Sequence, residues 1–234
     1  MNEELFNGKT EYYENSRPAV CKNAVDFLYN LLPSNAVFAD IGAGTGKFTS
    51  LIAERGNVIY AVEPNVEMHS VLTDKLGNYS NVKILNTSAE KTEIPSNSVD
   101  IVVVVTALHW FDLERFRAEC LRILKPEGFV IVIYNSRKSE LQKQANRPSE
   151  KTATDIFFEE KYEMIEFPNQ MLYSCEQYIS YHLSHASAPT ANDESYSSYL
   201  EKIISNFEHN CVNDKYLFDF VSVLYFDRDF VKNH

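Results

Sequence analysis

The residues best suited to chemistry fall in three short groups. Asp40-Ile41-Gly42-Ala43-Gly44-Thr45-Gly46 sets three glycines at alternate positions behind an acid. Glycines there omit the Cβ atoms that would keep a ligand off the backbone, and they permit positive φ in a tight turn. The spacing is GxGxG, not the GxGxxG of dinucleotide-binding folds or the GxxxxGK[ST] phosphate loop, so a phosphate ligand is disfavoured. Glu63 follows 17 residues after Gly46. An ionised carboxylate accepts hydrogen bonds from both hydroxyls of a ribose, the part an acid plays at this place in nucleotide-binding folds. The third group is Thr106-Ala107-Leu108-His109-Trp110-Phe111-Asp112. A neutral imidazole takes up the proton of a hydroxyl or amine nucleophile, so His109 is a candidate catalytic base, with a positioning contact to a ligand as the other reading. Trp110, the only tryptophan, suits a pocket wall or the core. Asp112 suits a helix N-cap.

Other reactive side chains are less organised. Cysteines 21, 120, 175 and 211 lie far apart at no metal-ligand or redox spacing, so they read as reduced thiols and no metal is expected. His182 and His185 stand beside Tyr178 and Tyr181 in an expected helix without an evident third ligand, which makes them surface or substrate-cover residues.

The elements that must position these groups alternate between helix and strand periods from residue 20 to about 136, the pattern of an α/β domain with a largely parallel sheet. Val20, Ala24, Phe27, Leu28 and Leu31 form one apolar stripe on a helix that Ser16 and Pro18 start and Pro33 stops. Strands are expected at Ala36–Ala39, Val58–Val62, Val82–Leu85, Ile101–Val105 and Phe129–Tyr134. Helices are expected at Lys47–Arg55, Asn65–Leu76 and along the Leu113, Phe116, Cys120, Leu121, Leu124 stripe. Ile101–Val105 is β-branched throughout, as befits a central strand covered on both faces. Ser136–Asp155 carries Arg137, Lys138, Lys143, Arg147 and Lys151 with almost nothing apolar, and reads as an exposed connection. Farther on, Tyr196, Tyr199, Leu200, Ile203, Ile204 and Phe207 make a helix stripe, and Tyr216–Phe226 reads as a buried strand or hairpin.

In this order, the Asp40–Gly46 loop, Glu63, Ser88-Ala89-Glu90 and the Ser98-Val99-Asp100-Ile101-Val102 approach to the fourth strand resemble the class I S-adenosylmethionine-dependent methyltransferases. The His109-Trp110-Phe111-Asp112 segment is similar to that of a small-molecule, trans-aconitate-type subgroup. Tyr12-Tyr13-Glu14-Asn15-Ser16-Arg17-Pro18 resembles the segment before that subgroup's first helix. The resemblance implies a doubly wound, mostly parallel seven-stranded Rossmann-like sheet with helices on both faces and a substrate-covering segment inserted after strand five. It implies one methyltransferase domain over residues 1–234, with 1–136 as the cofactor half and 137–234 as the substrate cover and last strands. S-adenosylmethionine would then be the cofactor and S-adenosylhomocysteine its product. Asp40, Gly42, Ala43, Gly44, Gly46 and Thr106 would hold the methionyl part, with Arg17 meeting its carboxylate. Glu63 would bind the ribose, and Pro64, Asn65, Met68, Ser88, Ala89 and Glu90 would lie at the adenine side. Tyr12, Tyr13 and Trp110 would face the acceptor. Two alternatives share the fold: a non-catalytic cofactor-binding or interaction protein, and a nicotinamide-dependent oxidoreductase, against which the GxGxG spacing argues.

The whole composition agrees with a small-molecule acceptor. With 234 residues and 44% apolar content the chain can bury a sizeable core. The net charge of −11 supplies no positive field for nucleic acid or anionic lipid, so neither is expected as a partner. Residues 152–234 hold five Lys or Arg against fourteen Asp or Glu, so most of that charge lies in the last third. Neither a signal peptide nor a run of 18 apolar residues stands out, and a cytoplasmic monomer or homodimer is expected.

Overall fold

The computed structural model describes residues 8–145 and 150–234. Arg147 of the expected connection and the first seven residues lie outside them. In chain order, α1 (Thr10–Ser16) and α2 (Lys22–Asn30) precede β1 (Phe38–Ile41), α3 (Lys47–Ala53), β2 (Ile59–Val62), α4 (Val66–Leu76), β3 (Val82–Leu85) and β4 (Val99–Val105). A 3-10 turn at Leu108–Trp110 leads to α5 (Leu113–Ile123), β5 (Leu124–Arg137), α6 (Lys138–Ala145) and α7 (Ala153–Phe157). Then come β6 (Glu163–Pro168), β7 (Met171–Tyr173), α8 (Cys175–Leu183), α9 (Tyr196–Asn210), β8 (Tyr216–Phe218), β9 (Phe220–Asp227) and α10 (Phe230–Asn233).

The described residues form a seven-stranded sheet in the order β3-β2-β1-β4-β5-β9-β6, parallel through β5 and antiparallel at β9 and β6. Helices flank it, and Ile101 to Val104 at its centre are fully buried. Strand order reverses between β1 and β4, and in open α/β sheets the crevice at such a switch point takes the ligand. Its five parallel strands are the ones that the alternating periods predict, and the seven-stranded sheet is the one that the resemblance implies.

Three local differences have physical causes. Leu124, placed by its stripe on α5, begins β5 instead, because it pairs with Val99 before a register shift to Ile101 and Phe129 absorbs the intervening Lys-Pro-Glu-Gly. The exposed connection starts later than expected. Ser136 and Arg137 remain in β5, paired with Val221 and Phe220, and α6 follows at Lys138. Polar side chains hide a strand whose backbone is fully paired. Finally, Tyr216–Phe226 is not one strand: β8 pairs with β7 in a separate two-stranded sheet, while β9 enters the main one.

Around β7, β8, α8 and α9, seven buried residues make a second core: Tyr173, Tyr178, Tyr181, Ile203, Phe207, Phe218 and Phe220. These elements form a cap inserted between β6 and β9. No helix among the described residues is long and apolar enough to cross a membrane.

Candidate functional site

The glycine loop leaves β1 at the switch point. Gly42 has φ +72°, and a Cβ on it would stand 2.8 Å from Ala107 Cβ, so the loop and the end of β4 meet in a contact only glycine allows. Gly46 has φ +80° and packs against Leu72 of α4, where a Cβ would come within 2.6 Å. Asp40 is buried below the turn. Its Oδ2 accepts a 2.5 Å bond from the Thr49 hydroxyl, and its Oδ1 has no hydrogen-bond partner among the described residues. Burial, aided by the Glu63 charge and opposed by the Thr49 bond, pushes its pKa up to about 7.

Glu63 is tied to the same loop. Its carboxylate accepts from the Gly44 amide at 2.8 Å and from the Asn65 amide at 2.9 Å, and Asn65 in turn caps α4 through the Met68 amide at 3.0 Å. The Asn86 side chain donates to the Glu63 carbonyl at 2.8 Å and the Pro64 carbonyl at 3.2 Å. That brings the turn before Ser88 and Ala89 beside Glu63 and Pro64.

The N-terminal helix closes over the loop. Tyr13 lies across it: a Cβ on Gly44 would be 3.9 Å from both Tyr13 Cε1 and Met68 Sδ. Arg17 donates from Nε to the Ser184 hydroxyl at 2.8 Å, with its guanidinium 5.3 Å from the Tyr181 ring. The buried Lys9 ammonium donates to the carbonyls of His185, Ala186 and Ala188 at 2.9, 2.8 and 2.7 Å. Lys47 donates to the Glu14 carbonyl, and the Glu14 carboxylate pairs with Lys75 at 2.5 Å. α1 is thereby strapped to the cap on one side and to α3 and α4 on the other.

Opposite, Thr106 ends β4 at φ +54° while its amide donates to Ile133 at 2.8 Å. A β-branched residue is strained in that left-handed region. The turn it makes presents His109 and Trp110 to the cavity, their rings 4.7 Å apart, with Tyr134 of β5 at 6.2 Å from His109. Protein packed around His109, together with the Arg17 charge, lowers its pKa, so the imidazole is neutral at pH 7 and fit to accept a proton. Asp112 caps α5 through the Arg115 amide at 3.2 Å, and Glu90 accepts from the Asp112 amide at 3.0 Å.

Between these walls lies a cavity of 490 Å³, within the range of small-molecule sites. Of the expected residues, Tyr13, Arg17, Asp40, Gly42, Ala43, Thr106, His109 and Trp110 line it. Gly44, Gly46, Glu63, Pro64, Met68, Ser88, Ala89 and Glu90 do not. Gly44 lies beside both the Tyr13 ring and Met68, while Glu63 and Pro64 sit with the Asn86 turn. Tyr12 does not line it either and lies beside Tyr196 at the start of α9. His185, expected at the surface or in a substrate cover, lines the cavity too, whereas Lys47, Tyr134, Ser136 and Tyr181 do so unannounced by any motif. The one available signal is that Tyr134–Ser136 continue the last parallel strand past its apolar run. A Tyr-x-x-x-Lys spacing also occurs at Tyr134 and Lys138, as an oxidoreductase would want. However, Tyr134 faces Thr154 of α7, and Lys138 is exposed at the start of α6.

A glycine loop at the switch point, tied to an acid at the end of β2 and facing a histidine at the end of β4, agrees with what comparison finds. Residues 39–132 match the methyltransferase domain family. Over 137 residues the chain is 39% identical to an uncharacterized methyltransferase of Mycobacterium tuberculosis, covering 58% of this chain and 54% of that protein. It is 34% identical over 128 residues to an uncharacterized methyltransferase-like protein of Schizosaccharomyces pombe, covering 53% and 49%. The chain thus spans about half the length of the curated relatives it matches. Among solved structures, a putative type II methyltransferase from Anaeromyxobacter dehalogenans superposes with a TM-score of 0.64 at 17% identity, over 90% of this chain and 94% of that one. A Haemonchus contortus phosphoethanolamine N-methyltransferase, solved with phosphomonomethylethanolamine and S-adenosylhomocysteine, gives 0.55 at 16% identity, over 96% and 57%. The fold is similar to that of these methyltransferase structures, and the stretch that matches the methyltransferase domain family holds the loop, Glu63 and His109.

Proposed function

We propose that this chain is an S-adenosylmethionine-dependent methyltransferase that moves a methyl group to a small-molecule acceptor by in-line displacement. The observation that carries this reading is the buried Asp40 Oδ1, without a partner among the described residues, at the base of a glycine turn that opens on the His109 cavity. A buried acceptor is costly to leave unpaired, and a ligand donor would satisfy it. In this reading Asp40, Gly42, Ala43, Gly44, Gly46 and Thr106 hold the methionyl end, and the Arg17 guanidinium pairs with its carboxylate. Glu63 meets the ribose. Pro64, Asn65, Met68, Ser88, Ala89 and Glu90 surround the adenine, and Tyr13 and Trp110 face the acceptor side.

The bound cofactor supplies a methyl group on a sulfonium, which needs alignment and dry surroundings more than covalent help. Tyr13 and the strapped α1 exclude water, Thr106 aims the His109 turn, and His109 takes the acceptor's proton. Residues 1–136 form the cofactor half of a single domain, and 137–234 the substrate cover.

Isothermal titration with S-adenosylhomocysteine tests the reading. Wild-type protein is expected to bind, and Glu63→Ala to weaken binding by about 1–3 kcal/mol, the scale of a lost charged hydrogen bond. An unchanged dissociation constant removes Glu63 from the ribose site, and absence of binding to wild type ends the proposal.

A further inference from the structure

Next to the large cavity is a smaller one of 230 Å³, and His109, Tyr134 and Ser136 line both. A ligand filling the smaller chamber therefore reaches the His109 edge of the larger. Its walls are mostly rings and hydroxyls. The His109 and Tyr134 rings lie 31° from parallel, and Tyr225 of β9 stands edge-on to Tyr134 at 6.3 Å. The first turn of α7 closes the chamber with Ala153 and Thr154, whose side chain lies beside that of Tyr134. Roughly 150 Å³ already suffices for benzene, so this room suits one ring with small substituents. Aromatic walls favour offset or edge-on stacking, and a hydroxyl pair offers both a donor and an acceptor to a ligand hydroxyl.

We propose that this chamber is the acceptor subsite and that it takes a hydroxyl-bearing aromatic ring, such as a phenol or catechol, for methylation on oxygen. The inference rests on the reading of the large cavity as the methyl-donor site. Among the described residues no carboxylate lines the chamber, which disfavours a cationic amine and favours a neutral ring hydroxyl among the hydroxyl groups of its wall. In the step itself, the phenolic oxygen forms its bond to the methyl carbon as the carbon–sulfur bond breaks. The sulfonium becomes a neutral thioether, and the phenolic proton passes to the unprotonated ring nitrogen of His109.

Trp110, the sole tryptophan, lies against His109 with the rings tilted by 45°, and its emission is a monitor of the junction. With S-adenosylhomocysteine bound, catechol is expected to change that emission saturably, whereas benzylamine and benzoate at equal concentration are not. Ala153→Leu, which fills the chamber, should weaken catechol binding at least tenfold. Thr154→Val, which keeps the volume and removes the hydroxyl, should weaken it severalfold. Both variants should bind S-adenosylhomocysteine within twofold of wild type, which also certifies their folding. If Ala153→Leu fails that check, Thr154→Val decides alone. Equal or tighter binding of the amine or the carboxylate, or catechol binding indifferent to the deciding variant, overturns the subsite while leaving the methyltransferase reading intact. If wild type does not bind S-adenosylhomocysteine, both proposals fall.

Discussion

Asp40 is held in a state that a ligand would change. In the folded chain its carboxyl keeps a proton up to about pH 7, whereas the unfolded chain gives it up near the ordinary aspartate value of 3.8. Between those values the native state binds more protons, so stability falls as pH rises, by a total on the order of 4 kcal/mol. Asp40→Asn should flatten stability between pH 4 and 7, as followed by urea unfolding. A ligand donor on Oδ1 favours the carboxylate, so S-adenosylhomocysteine binding at pH 6.5 should release a proton. Titrations in two buffers of different ionisation enthalpy would then give different apparent enthalpies, and equal ones would show that Asp40 does not ionise on binding. The residues readable from sequence, Asp40 to Gly46 and His109 to Asp112, are contiguous groups whose types and spacing declare their chemistry. Tyr134, Thr154 and Tyr225 come together from β5, α7 and β9. Nothing local marks them, because only sheet pairing makes them neighbours.

Elements were legible wherever one period dominated. α4 runs from Val66 to Leu76 between an Asn65 cap and Gly77, as its pattern predicts, and β3 occupies the expected Val82–Leu85. The two ends of β5 were not, because their paired residues are polar or lie beside a bulge. At the junction of β4 with the His109 turn, Thr106 stores backbone strain. Thr106→Gly should relieve about 1–3 kcal/mol of it against the extra chain entropy of glycine, for a net gain of about 1 kcal/mol in thermal unfolding. A loss of stability instead would mean that the threonine side chain holds the turn. Lys9 is the corresponding joint between α1 and the cap. Lys9→Met removes the donor shared by three carbonyls after α8, so amide exchange around residues 184–190 should accelerate at least tenfold while β4 and β5 stay protected. Unchanged exchange would show that α1 does not fasten the cap.

At the scale of the molecule, the five parallel strands could be read from alternation alone, while β6 and most of the cap could not. Apart from the α9 stripe, the cap's core is an aromatic cluster with neither a strand nor a helix period of its own, assembled from two short strands and two helices. If donor and cap act as one unit, S-adenosylhomocysteine at a hundred times its dissociation constant should stabilise the whole chain by about 2.7 kcal/mol and raise its melting temperature by roughly 5–10 °C in a single transition. A first transition that ignores the ligand would show that the cap melts separately. The cap also enters and leaves the sheet at one place: Pro168 on β6 lies directly opposite Val221 on β9. A chain whose departure and return points are already neighbours can exchange everything between them for a short hairpin or for a different insert, with no strand of the sheet moved. The roof over the cavity is thus a replaceable cassette, and selection could rewrite it while the loop at Asp40–Gly46 stayed as it was.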